Sequence, residues 1–361
     1  MRITFVLPRP FLNGGMRVIV QHAKGLQELG HEVTLVLRGS RKRSLLRKIK
    51  DLFAKRRFRP LKPEFFHETG LNVITLETDR AVGAADVPDA DVVIATWWTT
   101  AAPVAALPKE KGAKVYFVQD YGAESTPQEP LIETWQLGMN VITLCNWLAD
   151  LVRQHASPPL LEIVPNGIDA EAFAASVTAA ARQPQDPPTV GLQARGSYQK
   201  GTDIAAAALC LAAREVPGLR ARSFGFSPVR GDIALPAGSI HHRAPSDEEV
   251  PRIYADCDLW LFPSRKEGFG LPILEALAVG TPVIATPAAA APELISARNG
   301  ALLDDFAPET MAAAIVEFYA LPEEKRRKLS DAAWADARKY SWSAATRQFE
   351  AALEKAMAAS G

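Results

Sequence analysis

Cysteine is scarce in this chain of 361 residues. Cys145, Cys210 and Cys257 lie far apart, each in an apolar run, with no spacing for a zinc site or a redox dithiol. That excludes a disulfide scaffold and fits buried thiols in a reducing compartment. Net charge is also missing: 41 Lys and Arg balance 41 Asp and Glu, which excludes a uniformly basic nucleic-acid coat. No apolar run reaches the length of about 18 residues that a spanning helix needs. The N-terminal MRITFVLP turns polar too soon for a secretory leader, so neither export nor a membrane span is expected.

What is present is an ordinary globular composition, 48% apolar and 23% charged, long enough for two or three domains. The even charge balance hides an asymmetry. Residues 41–59, RKRSLLRKIKDLFAKRRFR, hold ten Lys or Arg and one acid, Asp51. Leu45, Leu46, Ile49, Leu52 and Phe53 fall on one face of a helix. A basic helix with a narrow apolar stripe suits an anionic membrane surface, and it equally suits a solvated helix packed on a core.

Short β-rich runs alternate with helical periods. The strand expectations are Arg2–Leu7, Glu32–Leu37, Asn72–Leu76, Asp91–Ala95, Lys114–Val118 and Val141–Leu144. A second series follows at Thr189–Leu192, Ala221–Phe224, Leu259–Phe262 and Val283–Ala285. Helices are expected between them, for instance over Met16–Leu29 and Asn146–His155. This alternation predicts an α/β chain with two doubly wound parallel sheets. The Pro-rich RQPQDPP at 182–188 reads as the linker. From Pro308 onward only helical patterning remains, broken near Pro322 and near Tyr340.

A nicotinamide cofactor is excluded as a reading. The first strand runs into PRPFLNGGMRV rather than G-x-G-x-x-G, and the second ends in Leu37-Arg38, without an acid for a ribose. The strongest motif is PSRKEGFGLPILEALAVGTP at 263–282. A buried strand ends at Pro263, a polar loop follows, and Leu271-Pro272 opens a helix that Gly280 and Pro282 close. Free N–H groups of Gly270, Leu271 and Ile273 at that helix start make an anion site at a sheet's carboxyl edge. Gly268 and Gly270 allow close approach to the backbone. Glu267 and Glu275 flank the anion site, one acid for a sugar on each side of a diphosphate. The ligand so described is a nucleotide-diphosphate sugar.

This segment resembles the signature of the retaining glycosyltransferases of family four, whose architecture, GT-B, faces two Rossmann-like domains across a cleft. The resemblance implies that Glu267 holds the donor sugar, that Glu275 holds the ribose, and that amides around Gly268, Phe269, Gly270 and Leu271 face sugar and phosphates. Further matches follow in order: Gly14-Gly15 near the donor phosphates, Gly30-His31-Glu32-Val33, Val164 to Asp169, and Arg195 with Lys200 on the diphosphate. An Arg fork and a Lys point charge suit that last role. The resemblance implies an acceptor-side domain over 1–168, a donor-binding domain over 182–340, and a terminal helix over 341–361 returning to the first. It also implies no cofactor and no required metal. The expected partners are a nucleotide-sugar donor, a glycan or lipid-linked acceptor and no nucleic acid. The expected location is cytoplasmic, peripheral at the inner membrane face if residues 41–59 bind it.

Departures are visible too. Ala288–Ala291 stands where a Gly-Gly pair is common, Arg243 replaces a common glycine, and Gln119-Asp120 replaces a segment that often carries a His. The pieces ATWWTTA at 95–101 and YFVQDY at 116–121 resemble a rhamnan-synthesis branch, and so a rhamnosyltransferase. Asp89/Asp91 and Asp256/Asp258 mimic a metal-binding pair, but both precede strands, away from the edge where ligands bind. His241 and His242 point to opposite faces of a strand. Cys145 reads as core, and Trp97 and Trp98 as acceptor contacts or packing. A non-hydrolysing sugar-nucleotide epimerase and a non-catalytic sugar-nucleotide-binding protein are the alternatives.

Overall fold

The computed structural model describes residues 1–8, 14–39, 69–122, 126–175, 177, 185–226 and 233–360. The basic segment 41–59 and the start of the linker, 182–184, lie outside the described residues. Among the described residues no helix is long and apolar enough to cross a membrane.

The first half builds a parallel sheet of seven strands: β1 (Arg2–Leu7), β2 (Glu32–Leu37), β3 (Asn72–Thr75), β4 (Val92–Ala95), β5 (Ala113–Val118), β6 (Asn140–Thr143) and β7 (Leu161–Ile163). Its order is β3-β2-β1-β4-β5-β6-β7. The second half builds six: β8 (Thr189–Gln193), β9 (Arg220–Gly225), β10 (Ile240–Arg243), β11 (Leu259–Phe262), β12 (Val283–Ala285) and β13 (Gly300–Leu302), in the order β10-β9-β8-β11-β12-β13. Helices cover both faces, so the central strands are buried along nearly their whole length, as their Val, Ile and Leu content requires. In each sheet the strand order reverses at one point, β1/β4 in the first and β8/β11 in the second. Ligands in such sheets bind in the crevice beyond the carboxyl ends at that reversal.

The two carboxyl edges face each other. Gly268, in the loop after β11, lies so close to the loop after β5 that a Cβ there would run into the Gln119 carbonyl oxygen. Lys266 sits 3.8 Å over the Tyr121 ring. Glu293 accepts a 2.9 Å hydrogen bond from the Asn146 N–H at the start of the helix over Asn146–His155. Arg17, in the first turn of α1 (Gly14–Glu28), makes a bidentate pair with Asp247 at 3.0 and 3.2 Å.

The terminal helix, Trp342–Ser360, packs on the first domain rather than the second. Its Phe349 stacks on His22 at 4.5 Å and meets Phe117 edge-on at 5.0 Å. Phe349, Ala352 and Leu353 are fully buried in the core that also holds Phe5 and Leu26. The turn before this helix is tied to the interdomain segment by the Ile168 N–H, which donates to the Tyr340 carbonyl at 2.7 Å.

Candidate active site

Arg195, Lys200 and Glu267 line one pocket at the β8/β11 reversal, together with Gln193, Ser264 and Pro272. Thr202 fixes the Arg195 end: its hydroxyl accepts the Arg195 N–H at 2.9 Å and donates to the Arg195 carbonyl at 2.8 Å. Lys200 ends a short turn, and Gly201 follows with φ 64°, its missing Cβ lying where the Pro263 carbonyl oxygen packs. Only glycine fits that space and that dihedral. Lys200 is thereby aimed at Glu267, with Nζ 2.6 Å from Oε1, both side chains about one-fifth exposed. The guanidinium of Arg265 next door is engaged elsewhere, bidentate to Asp203 at 2.7 and 2.8 Å.

The helix over Leu271–Ala278 starts as the sequence predicts, with Pro272 in its first turn and Gly270 before it at φ 107°. One amide of the expected three is committed, since the Ile273 N–H donates to the Gly270 carbonyl at 2.9 Å. The phenyl ring of Phe269 is buried in the core, leaving backbone for any ligand contact. Glu275, one turn inside, is half-buried and accepts a 2.6 Å hydrogen bond from the hydroxyl of fully buried Tyr254. Enclosure pushes the Glu275 carboxyl above its ordinary range, against the opposing pull of the Tyr254 hydroxyl and of Arg195. Gly14 and Gly15 open α1 and are not among the residues lining this pocket. The first turn they start reaches the opposite domain through Arg17 and Asp247.

A second, small pocket lies at the carboxyl ends of β4 and β5 and is lined by Thr96, Trp97, Trp98, Gln119 and Asp120 among others. Burial pushes the Asp120 carboxyl above its usual range, Lys200 pulls it down and Glu267 adds to the rise, so these groups feel one another across the cleft. Sequence reading named Asp120 as a departure and as part of the YFVQDY resemblance, without a role at the site. The signal available was its position, just past a predicted strand's carboxyl end.

The discounted residues have structural partners. Asp91 pairs with Arg2 at 2.9 Å, Asp89 with Lys111 at 2.8 Å and Asp256 with Arg222 at 3.1 Å. Asp258 accepts the backbone N–H groups of Gln185 and Thr189, at 2.7 and 2.9 Å, clasping the end of the linker. The His241 ring lies 2.9 Å from the Ser223 hydroxyl. Cys145 is fully buried and its thiol is pushed up to about 12, too high for a nucleophile at neutral pH. Two substituted loops carry strain: Ala289 and Ala244 hold φ of 53° and 49°. Ala289 stands in the stretch where the sequence departs from a glycine pair, and Ala244 follows Arg243.

Two family models match this chain in succession. Glycosyltransferase Family 4 covers residues 12–172, and Glycosyl transferases group 1 covers 235–335; together they take in more than half of the sequence. The chain belongs to glycosyltransferase family four. Among curated members of this family, D-inositol 3-phosphate glycosyltransferase of Segniliparus rotundus is 32% identical over 205 residues, which is 52% of this chain and 45% of that protein. The GDP-mannose-dependent alpha-(1-6)-phosphatidylinositol monomannoside mannosyltransferase of Mycolicibacterium smegmatis is 29% identical, over 45% of this chain and 48% of that one. O-antigen chain mannosyltransferase B of Escherichia coli is 34% identical over 28% of this chain and 26% of its own length. The chain therefore spans about half the length, or less, of these curated relatives. Among solved structures, Anabaena Alr3699/HepE in complex with UDP-glucose superposes with a TM-score of 0.74 at 19% identity, covering 98% of this chain and 100% of that one. Sucrose-phosphate synthase from Thermosynechococcus elongatus gives 0.71 at 17% identity, covering 99% and 100%. These likenesses establish the GT-B fold over nearly all of the chain.

Proposed function

We propose that this family-four glycosyltransferase moves a sugar from a nucleotide-diphosphate donor to an acceptor hydroxyl in glycan or lipid-linked glycan synthesis. The observation that carries this reading is the convergence of Arg195, Lys200 and Glu267 on one pocket at the β8/β11 reversal, with Glu275 one helical turn away. Arg195, Lys200 and the Leu271 helix start stabilise charge growing on the departing diphosphate, the largest contribution such a site makes. Glu267 holds the donor sugar and Glu275 the ribose. Gly14 and Gly15 close on the phosphates from the other domain and exclude water.

The anomeric configuration is retained and no metal is required, because fixed cations supply the charge a metal would. The sugar is a hexose or deoxyhexose. The QDY and TWW segments favour a rhamnosyl donor, whereas the matches to the Mycolicibacterium and Escherichia coli mannosyltransferases favour a mannosyl one. The acceptor lies on the first domain, and residues 41–59 bring the enzyme to an anionic membrane surface from the cytoplasmic side.

A thermal-shift panel of UDP, GDP, dTDP and ADP sugars tests the reading, with and without EDTA. One nucleotide sugar should raise the midpoint, since ligand at 100 times Kd adds about 2.7 kcal/mol. The chelator should change nothing. A flat response to the whole panel would remove the proposal.

A further inference from the structure

Lys200 is the last residue of a single turn, Tyr198–Lys200, too short to hold a shape of its own. What fixes it comes from the loop that carries Glu267. The backbone N–H groups of Arg265 and Lys266 donate to the Gln199 carbonyl at 2.8 and 3.2 Å. The Arg265 guanidinium donates to the Tyr198 carbonyl at 2.9 Å and to the two carboxylate oxygens of Asp203 at 2.8 and 2.7 Å. It also lies 3.8 Å over the exposed Tyr198 ring. Asp203 stands in the first turn of the helix over Thr202–Ala212, where free N–H groups favour a carboxylate. One side chain, two residues before Glu267, thus grips the chain on both sides of Lys200.

This grip does little for the fold. The Asp203 side chain is about half exposed and that of Arg265 about one-quarter, and ion pairs open to water stabilise a protein little. Position is another matter, since a displacement of about 1 Å at a reacting site can cost roughly a hundredfold. The planar fork of arginine serves a carboxylate and a carbonyl at once, which a single ammonium does not. Resting on the transferase reading above, we propose that Arg265 and Asp203 are positioning residues: as one bracket they set where the Lys200 ammonium meets the donor diphosphate, without touching it themselves.

The test measures affinity by isothermal titration on the full chain. The probe is UDP, GDP, dTDP or ADP, according to which sugar raises the midpoint in the thermal-shift panel. Charge and position predict opposite signs. Losing the acid in Asp203→Ala would tighten an anion if charge alone mattered; a loosened Lys200 should instead weaken it, by about three- to tenfold. Arg265→Lys keeps the charge and loses the fork, so it should weaken binding as much as Arg265→Gln does. In a Lys200→Ala background each of these changes should add less than about twofold, because the group they position is gone. Should Arg265→Gln fail to fold, Asp203→Ala, which removes only the half-exposed acid, still decides the sign.

An Asp203→Ala variant that binds the nucleotide as tightly as the unaltered chain, or more tightly, would overturn the proposal. So would Arg265→Lys with unaltered affinity, which would leave charge as the whole of the effect. Equal losses with and without Lys200 would reduce the bracket to a structural part and overturn it too. Absence of any nucleotide binding by the unaltered chain would instead defeat the transferase reading itself.

Discussion

Lys200 Nζ lies 2.6 Å from Glu267 Oε1, so the cation proposed for the diphosphate and the acid proposed for the sugar are held as a pair. Neither can be altered without disturbing the other. Lys200→Ala should lower kcat by about 10²-fold or more, the scale for a lost charge-stabilising group. Arg195→Ala should do the same. The Lys200→Ala/Glu267→Gln double variant should be scarcely worse than its poorer parent, since contacting groups are not additive. Steady-state kinetics with the donor found by thermal shift decides this. Near-normal turnover in both cation variants would contradict the assigned roles.

Tyr254 steers Glu275. Removing its hydroxyl in Tyr254→Phe takes away the 2.6 Å bond and one of the influences that lower the carboxyl's raised pKa. A hydrogen bond to a charged group is worth roughly 1.5–3 kcal/mol, so nucleotide affinity should fall about tenfold or more at neutral pH. Isothermal titration at several pH values checks it; an affinity equal to wild type throughout would break the link between Tyr254 and the nucleoside.

His22 makes acid the enemy of the first domain. Its ring is wholly buried among Phe117, Trp342 and Phe349, and burial lowers its pKa from the ordinary 6.5 to about 3. The unfolded chain takes up this proton more readily than the folded one. Stability is therefore complete above about pH 6.5 and is lost as the pH falls toward 3, at about 1.4 kcal/mol per unit. His22→Phe should flatten the fall of the thermal midpoint between pH 7 and 4. Parallel pH curves for the two proteins would assign the acid sensitivity to other groups.

Ala289 holds a left-handed φ of 53° without being glycine. An L-residue there costs roughly 1–2 kcal/mol. Ala289→Gly should recover part of that, less the greater entropy of a glycine in the unfolded chain, and raise the melting midpoint by a few degrees. A lower midpoint would mean that the methyl group, which is buried, contributes more to packing than its backbone loses.

The central strands were legible because parallel sheets bury both faces and leave unbroken runs such as ITFVL and VVIA. Of the edge strands, β3 was expected, over Asn72–Leu76, and the other three were not. β7 is LEI, β10 is IHHR and β13 is GAL, too short or too polar to stand out from loop. Their pairing comes from neighbours already in place, as in Ile240↔Arg222 and Val283↔Gly300. The helix at 271–278 was legible to within two residues because Pro and Gly punctuate it. The pairing of Lys200 with Glu267 was not, since 67 residues separate them and only the β8/β11 reversal brings them together. Asp120 was named in the sequence, but its closeness to Lys200 and Glu267 was not legible for the same reason, since those residues belong to the other domain.

The helix over Trp342–Ser360 closes the first sheet with residues that follow the whole of the second sheet in the chain. A ribosome that has released residues 1–168 has produced every strand of that sheet but not the lid over Phe5, His22 and Phe117. The first domain must wait, greasy and uncovered, while nearly two hundred more residues are synthesised. Nascent chains stalled before Trp342 should accordingly be chaperone clients and aggregate on release, whereas adding the helix back as a separate peptide should rescue their solubility.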